Sequence, residues 1–448
     1  MRIAPWRGPS MTARVVDGQS RSDDADCRRD GKPPSQAFGA LSVVPGVLGA
    51  GLRKGYGDSL NRAALSRFAP AAVRPIASNR SIALQQGWGI TPSTNGFHRK
   101  PIMTPPEITV LETRILAADA AGIAAGSACL AGGGLVAFPT ETVYGLGADA
   151  TNAAAIARLY QAKGRPAFNP LIAHVADLAS ARRIGRFDAT AEKLAAAFWP
   201  GPLTLVLPKA SDCRVAELAT AGLGTTAIRI PAHRAAQALL RAFGGAVVAP
   251  SANLSGHVSP TTAAHVRSDL DGRIDLIVDG GPVDVGVEST IVGCFGEGVL
   301  LRPGGVPTEA IEAVLGRRLA RPLAEAAGDA SPLLAQPLAP GMLASHYAPR
   351  ATVRLDASEV RPGEALLAFG PDALPGAEHA RAVMNLSARS NVAEAAANLF
   401  GYLRMLDTTA ARAIAVMPIP HHGLGEAIND RLRRAAAPKG LAIAPLDS

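Results

Sequence analysis

The sequence has few aromatic residues and few cysteines, and both shortages limit what the protein can be. Aromatic residues make up 4% of the 448 residues, so aliphatic side chains must fill the core that a hydrophobic content of 48% allows. The four cysteines, Cys27, Cys129, Cys213 and Cys294, show no C-x-x-C spacing. A zinc site is therefore not predicted, and scattered single thiols are typical of a reducing cytoplasm.

Several catalytic signatures are also missing. The sequence contains no G-x-x-x-x-G-K-[ST] phosphate loop, no H-E-x-x-H pair and no G-x-S-x-G turn. Their absence excludes a Walker-type ATPase and argues against two common hydrolase designs. Residues 120–140 carry no charge over 21 positions, but three glycines and Pro139 favour a helix, a turn and a strand over a membrane span.

The positive net charge is confined to the first part of the chain. Residues 1–102 hold 15 of the 45 Lys and Arg and 6 of the 37 Asp and Glu, which leaves 30 basic and 31 acidic residues for 103–448. A nearly neutral body lacks the cations that stable duplex nucleic-acid binding needs. The first 102 residues show little periodicity, no secretory h-region and an acidic segment unlike a transit peptide. We expect a disordered extension or a misassigned start, and a cytoplasmic protein that begins near Met103.

From residue 103 onward, helix and strand patterns alternate, which predicts an α/β domain with a mixed sheet. Helices are predicted at 115–130, 151–163 and 189–199. Strands are predicted at 135–138, 171–175, 203–207, 226–230, 246–249, 274–278 and 290–292. The domain should span 103–318. A linker rich in Pro, Ala and Gly is predicted at 319–349, and a small α/β domain at 350–448.

The segment FPTETVYGLG, residues 138–147, places polar side chains after a short apolar strand. Pro139 ends that strand because it has no N–H for a neighbour, and the glycines behind it predict a flexible turn. The segment VVAPSAN, residues 247–253, repeats the pattern with Ser251 and Asn253. Either is compatible with an ordinary turn. Two such strand ends side by side would instead form a pocket at one edge of the sheet.

Lys163 and Arg165 end a helix within QAKGRPAFNPLIAHV, residues 161–175. Cations at a helix C-terminus are often only partners of the helix dipole. Here Gly164 and two prolines constrain the loop around them, and fixed cations suit a polyphosphate. No nucleophile–base pair accompanies them, which favours catalysis by positioning and charge neutralisation, as in transfers at phosphorus. From the residues alone the reaction stays open.

The segments PTETVYGLG, KGRP, WPGPLTLVL, APSAN and ESTI occur in this order within 107–318 and closely resemble the threonylcarbamoyl-AMP synthase family, with its YrdC-like domain. SHYAP at 345–349 and the region after it resemble the extra C-terminal domain of the longer members. The resemblance implies a YrdC-like mixed twisted sheet with a central concave pocket, plus a small Rossmann-like C-terminal domain.

The resemblance also implies a reaction. L-Threonine, bicarbonate and ATP would give threonylcarbamoyl-AMP and pyrophosphate, with Mg²⁺ on the phosphates rather than in a protein cage. A downstream tRNA threonylcarbamoyl transferase complex would place the threonylcarbamoyl group on adenosine 37 of tRNAs that read codons starting with A.

Individual residues receive roles from the same resemblance. The threonine site would comprise Thr142, His174, Arg229, Ala249 and Ser289. The ATP site would comprise Arg165, Asn169, Thr225, Ser251, Ser259, Arg302 and Tyr347, the last as a lid on the linker. The catalytic tetrad around the triphosphate would be Lys163, Arg165, Ser251 and Asn253.

Two other functions remain alternatives. One is a carbamoyl-adenylate-forming maturation protein, although such proteins carry zinc-finger segments and this chain has no C-x-x-C pair. The other is a non-catalytic RNA-binding module with a concave surface. The neutral body argues against it, because phosphate contacts need an excess of Lys and Arg.

Overall fold

The computed structural model describes residues 111–321 and 346–438. The predicted extension at 1–102 lies outside the described residues, as do the start of the catalytic segment, most of the predicted linker and residues 439–448. The described part contains a ten-stranded mixed sheet and a four-stranded parallel sheet. The predicted α/β class with a mixed sheet is confirmed.

The large sheet combines parallel and antiparallel neighbours. Its strands, in chain order, are β1 (Arg114–Ala117), β2 (Val136–Pro139), β3 (Tyr144–Asp149), β4 (Ile172–His174), β5 (Leu203–Pro208), β6 (Thr225–Arg229), β7 (Val247–Val248), β8 (Leu276–Asp279), β9 (Thr290–Gly293) and β10 (Val299–Arg302). Their spatial order is β1-β8-β2-β3-β7-β4-β6-β5-β9-β10. Strands β4 and β6 run parallel, whereas β2 and β3 run antiparallel.

Helices cover both faces of this sheet. They are α1 (Ala120–Ala131), α2 (Ala153–Lys163), α3 (Leu178–Arg182), α4 (Ala189–Phe198), α5 (Glu217–Thr220), α6 (Arg234–Phe243), α7 (Ala263–Leu270) and α8 (Thr308–Leu315). One apolar cluster packs α1 and α6 against β2 and β8, and a larger one packs α2 and α4 against other strands. None of the helices within the described residues is long and apolar enough to cross a membrane.

The C-terminal sheet is built from β11 (Thr352–Arg354), β12 (Glu364–Ala368), β13 (Val383–Asn385) and β14 (Ala413–Val416), in the spatial order β11-β14-β12-β13. Helices α9 (Val392–Asp407) and α10 (Leu424–Ala436) accompany it. An apolar cluster, here called the shared core, joins this unit to loops of the large domain. It contains Phe400 and Leu403 of α9 together with Val143, Val287 and Tyr347.

Two predictions about the fold are wrong. The helix predicted at 115–130 is strand β1 followed by α1, whose N-cap is Asp119. Ile115 pairs with Ile277 of β8, and such sheet pairing cannot be inferred from a short apolar run. The glycines behind Pro139 lie in strand β3 rather than in a turn. A Cβ at Gly147 would lie 2.9 Å from Phe138, so this glycine allows close packing.

The ends of α2 determine where the predicted phosphate loop begins. Asn152 caps the helix by accepting hydrogen bonds from the N–H groups of Ala154 and Ala155. Gly164 ends it in the left-handed conformation, with φ of 58°. The chain therefore turns sharply between Lys163 and Arg165, which separates the two cations.

Candidate functional site

A small cavity, here called the site cavity, lies where several strand ends meet. Its volume is about 50 Å³. The residues that line it are Thr142, Val143, Arg165, Ile172, His174, Arg229, Ala249, Pro250, Ser251, Glu288, Ser289, Arg302, His346 and Tyr347. The strand ends after Phe138 and Ala249 therefore share one cavity, as the sequence pattern predicted.

The loop at 140–143, which follows β2, is shaped by Thr140. The Thr140 hydroxyl donates to the carbonyl of Val143 at 2.7 Å and accepts from the backbone N–H of Thr142 at 3.2 Å. Its Oγ1 also lies 2.8 Å from Oγ1 of Thr142. Thr140 thus holds the loop, while Thr142 lines the cavity.

Arg229, the last residue of β6, joins this loop through a buried ion pair. Its Nη2 lies 2.6 Å from Oε1 of Glu141, and its Nη1 donates to Oγ1 of Thr142 at 2.9 Å. The second Glu141 oxygen accepts from the N–H of Ala232 at 3.0 Å. Burial acts to raise the pKa of Glu141, but the charge and hydrogen bond of Arg229, together with backbone hydrogen bonds, lower that pKa. An ionised Glu141 therefore fixes the guanidinium beside Thr142.

His174 lies beside Arg229, because the two residues pair across β4 and β6. Its ring packs edge-on against Phe138, with centroids 6.5 Å apart. Burial, together with the charge of Arg229, lowers the pKa of His174 to about 3. The imidazole is therefore neutral near pH 7, and it adds a hydrogen-bonding group to this wall without adding charge.

Arg165 supplies a second buried cation. It donates to the carbonyls of Pro170 at 2.9 Å and Asn169 at 3.3 Å, and neither acceptor carries a formal charge. Burial lowers the pKa of Arg165 to about 10, which leaves the guanidinium protonated at neutral pH. A buried cation bonded to neutral carbonyls favours an anionic ligand.

Lys163 is buried next to the cavity but does not line it. Its Nζ donates to the carbonyl of Ser251 at 2.6 Å and to that of Asn253. Burial holds the pKa of Lys163 well below its usual value. Lys163 therefore fixes the loop that presents Ser251.

The remaining wall is also rich in cations. Arg302, at the end of β10, donates from Nη2 to the carbonyl of Ser289 at 2.8 Å. Within the described residues, three arginines line the cavity and Glu288 is the single carboxylate among its lining groups. This balance makes the wall electropositive, as a triphosphate or a carboxylate ligand requires.

Residues of the predicted lid close the cavity. The rings of His346 and Tyr347 lie 4.1 Å apart, and Tyr347 stacks on Phe400 of α9 with centroids 5.5 Å apart. The N–H of Ala348 donates to the carbonyl of Gly256 at 2.9 Å. Burial lowers the pKa of His346 to about 3, so this imidazole is neutral as well.

Five of the predicted site residues do not line the cavity, namely Lys163, Asn169, Thr225, Asn253 and Ser259. Asn169 is buried, and neither polar atom of its side chain has a hydrogen-bond partner in the described part of the chain. Thr225 begins β6, four residues before Arg229. At a rise of about 3.3 Å per strand residue, it lies roughly 13 Å along β6 from Arg229.

Sequence reasoning missed four residues of this region, namely Glu141, Glu288, His346 and Arg431. Glu288 accepts from the Ser259 hydroxyl at 2.5 Å and pairs with Nε of Arg431 at 2.8 Å. A signal for the carboxylates was present, because Glu141 lies in the strand-end motif at 138–147 and Glu288 in the ESTI segment just before a predicted strand. A carboxylate buried there needs a cationic partner, which could have directed attention to distant arginines.

Fold and site together define a class of protein: an α/β protein with an electropositive cavity where strand ends of a mixed sheet meet. A family model described as "Telomere recombination", for Sua5, YciO and YrdC proteins, matches residues 128–304. A second, described as the C-terminal domain of threonylcarbamoyl-AMP synthase, matches residues 306–437.

Individual proteins give the same result. The threonylcarbamoyl-AMP synthase of Bacillus subtilis is 43% identical over 327 residues, which cover 70% of this chain and 92% of the relative. That of Pyrococcus abyssi is 42% identical over 317 residues, or 68% of this chain and 91% of the relative. A crystal structure of P. abyssi Sua5 with L-threonine superposes with a TM-score of 0.65 at 38% identity, covering 73% of this chain and 98% of that one.

The chain belongs to the threonylcarbamoyl-AMP synthase family. The resemblance stated from five short motifs is thereby confirmed, as is the YrdC-like fold with an additional C-terminal domain.

Proposed function

We propose that this protein joins L-threonine, bicarbonate and ATP into threonylcarbamoyl-AMP and pyrophosphate. One observation carries the proposal. A single cavity brings the Thr142 and Arg229 end, suited to an amino acid, together with the Arg165 and Ser251 end, suited to phosphates. Family membership supports the same reaction.

The amino-acid end would orient threonine by its carboxylate. Arg229 presents a fixed guanidinium, and a guanidinium grips a carboxylate through two parallel hydrogen bonds. Thr142 and Ser289 offer hydroxyls, and neutral His174 offers a ring nitrogen. The backbone at Ala249 completes this part of the proposed site. The threonine complex of P. abyssi Sua5 supports an amino-acid substrate for this family.

The phosphate end would hold ATP. Arg165, Ser251 and Arg302 line the cavity, while Lys163 and Asn253 shape the loop that carries Ser251. ATP is far larger than a 50 Å³ cavity, so the nucleotide must extend beyond it. We assign the nucleoside end to Asn169, whose amide has no partner among the described residues, and to Thr225 and Ser259.

A divalent metal would arrive with the nucleotide. No cluster of three or more His, Cys, Asp or Glu side chains in 111–321 and 346–438 is placed to hold a metal ion. The carboxylate that lines the cavity, Glu288, is already engaged by Ser259 and Arg431. These donors do not fit a protein metal cage, and we propose Mg²⁺ bound to the phosphates.

The chemistry would proceed in two steps. The threonine amine adds to bicarbonate-derived CO₂ and loses a proton, giving N-carboxy-threonine. An oxygen of the new N-carboxylate, rather than of the threonine carboxylate, then attacks the α-phosphorus of ATP, and pyrophosphate leaves. Arg165 would neutralise charge that develops on the phosphate oxygens, and losing one such contact typically costs about 3 kcal/mol in the barrier.

The remaining features of the proposal concern the whole chain. We propose a catalytic segment at 103–318, a linker with the Tyr347 lid at 319–349 and a C-terminal domain at 350–448. The product would supply a tRNA threonylcarbamoyl transferase complex that modifies adenosine 37. A cytoplasmic location is supported by the free thiols of Cys129, Cys213 and Cys294.

The test is pyrophosphate release from ATP by the purified full-length chain with threonine and bicarbonate. We expect release that needs both co-substrates and falls by about 100-fold in Arg165→Gln. Arg183→Gln is the matched control, because Arg183 is an exposed arginine of the same domain that lies outside the site cavity. Absence of threonine-dependent release, combined with tight RNA binding, would establish the RNA-binding alternative instead.

A further inference from the structure

Arg431 is a fully buried arginine that belongs to the C-terminal domain yet reaches the site. Its side chain, on α10, is 0% exposed and lies 2.8 Å from Oε2 of Glu288. The same guanidinium donates from Nη1 to the carbonyl of Pro303 and to Asp430, at 2.8 and 2.7 Å. It therefore joins α10 to two segments that are remote from it in sequence, around Glu288 and Pro303.

Arg431 also contacts the lid. Its guanidinium carbon lies 5.4 Å from the centroid of the Tyr347 ring, and the same ring stacks on Phe400. Tyr347 has φ of 61°, a left-handed conformation that non-glycine residues adopt only when their surroundings hold them there. Two side chains of the C-terminal domain thus hold the lid residue in a strained position above the cavity.

We propose that Arg431 is a positioning residue for the reaction, which fixes the cavity carboxylate Glu288 and the lid residue Tyr347 at once. This inference rests on the proposed function, and it gives the C-terminal domain a direct part in forming the site. Arg431 does not line the cavity, so it acts through Glu288 and Tyr347, which both do.

The surroundings of Glu288 indicate what Arg431 controls. Ser259 faces the carboxylate from the loop before α7, Arg302 from β10, His346 and Tyr347 from the lid, and Arg431 with Asp430 from α10. Burial acts to raise the pKa of Glu288, but the charges of Arg431 and Arg302, together with the hydrogen bonds from Ser259 and Arg431, lower it. The pKa of His346 is lowered to about 3, so this imidazole is neutral near pH 7 and cannot supply a positive charge in place of Arg431.

Removing the charge of Arg431 should therefore change the pH dependence of the enzyme. In Arg431→Gln, the pKa of Glu288 should rise, because burial is then opposed only by the charge of Arg302 and the hydrogen bond from Ser259. The ratio of variant to wild-type activity should then fall as the pH is lowered from 8 to 6. We also expect a loss in kcat/KM of roughly 10- to 100-fold, as for a lost hydrogen bond to a charged group.

Arg433→Gln is the matched control. Arg433 lies two residues further along α10 and is exposed. Its substitution by Gln changes charge and helix propensity in the same way as Arg431→Gln. The experiment compares both variants with wild type in full-length protein. It measures kcat and KM for ATP and threonine from pH 6 to 8, and hydrogen exchange of the segment 346–350. Faster exchange is expected in Arg431→Gln and not in Arg433→Gln. The reason is that Tyr347, which precedes the hydrogen-bonded N–H of Ala348, loses its contact with Arg431.

Arg431→Lys covers the case in which Arg431→Gln does not fold. A lysine keeps the charge near Glu288 but not the several directed contacts. This variant should keep the pH profile of wild type, with a reduced kcat/KM and faster exchange at 346–350. Wild-type kinetics and exchange in Arg431→Lys, or identical behaviour of Arg431→Gln and Arg433→Gln, would overturn the inference. If wild type itself releases no threonine-dependent pyrophosphate, the proposed function fails, and the exchange comparison still tests the role of Arg431.

Discussion

Glu141→Gln offers a sharp test of how the amino-acid end is held together. The substitution keeps the shape of the side chain and removes its charge. It leaves the guanidinium of Arg229, which is 4% exposed, without its anionic partner. Breaking a buried ion pair by removing one member costs about 3–5 kcal/mol, and the retained amide oxygen places this case at the low end, about 3 kcal/mol. For a domain of this size, that corresponds to a fall in Tm of roughly 6–12 °C.

The variant should also bind threonine less well. The guanidinium of Arg229 contacts Thr142 and also pairs with Glu141. Its displacement would therefore disturb both Arg229 and Thr142, which line the cavity. A loss of about 1.5–3 kcal/mol, as for one hydrogen bond to a charged group, would raise the KM for threonine roughly 10- to 150-fold. The assay combines calorimetry with pyrophosphate release at varied threonine. The KM for ATP should change far less.

The control for this prediction is Glu192→Gln. Glu192 pairs with Arg182 on the surface of the same domain, with side chains 41% and 55% exposed. Such exposed pairs contribute about 0–1 kcal/mol, so the control should differ little from wild type. Equal Tm and equal threonine KM in both variants would refute the role given to the Glu141–Arg229 pair.

Three further predictions follow from the same contacts. Lys163→Met should lower the free energy of unfolding by about 1–3 kcal/mol in denaturant titrations, because two carbonyls lose a donor; full stability would show that the lysine does not hold the Ser251 loop. Thr142→Val should raise the KM for threonine roughly 10-fold with the KM for ATP unchanged, and an equal rise in both would contradict a threonine-specific contact. His174→Asn should reduce the loss of stability between pH 7 and 5 by about 2 kcal/mol, because the unfolded wild-type histidine takes up a proton near pH 6.5 whereas the folded imidazole, with a pKa of about 3, does not. An unchanged pH dependence would show that His174 already titrates in the folded protein.

The sequence was informative where function depends on a single strand end. Each of the two polar motifs follows an apolar run and a proline. This pattern places the motif at the end of a strand without any knowledge of strand pairing. The structure then links the two motifs through β3, where Gly145 forms a bridge with Ser251. The constrained cations were also recognisable, because glycine and proline define the loop that holds Arg165.

Partners that are remote in sequence could not be predicted. Arg229 bonds to Glu141 across 88 residues, and Arg431 reaches Glu288 across 143. No periodicity encodes such pairs, because they depend on how whole elements pack. The prediction of a helix from residue 115 was wrong for the same reason, because Ile115 is part of a strand that pairs with β8. Lys163 was predicted at the end of a helix, but its burial and its hydrogen bonds to the carbonyls of Ser251 and Asn253 could not be inferred from its spacing to Arg165.

The most direct measurement is a crystal structure of the full-length chain with L-threonine and a non-hydrolysable ATP analogue. The account predicts the threonine carboxylate at Arg229 and its amine directed toward the α-phosphate, with the triphosphate against Arg165 and Ser251. Threonine and nucleotide bound in separate places, or a triphosphate far from Arg165, would contradict the claim that one cavity serves both substrates.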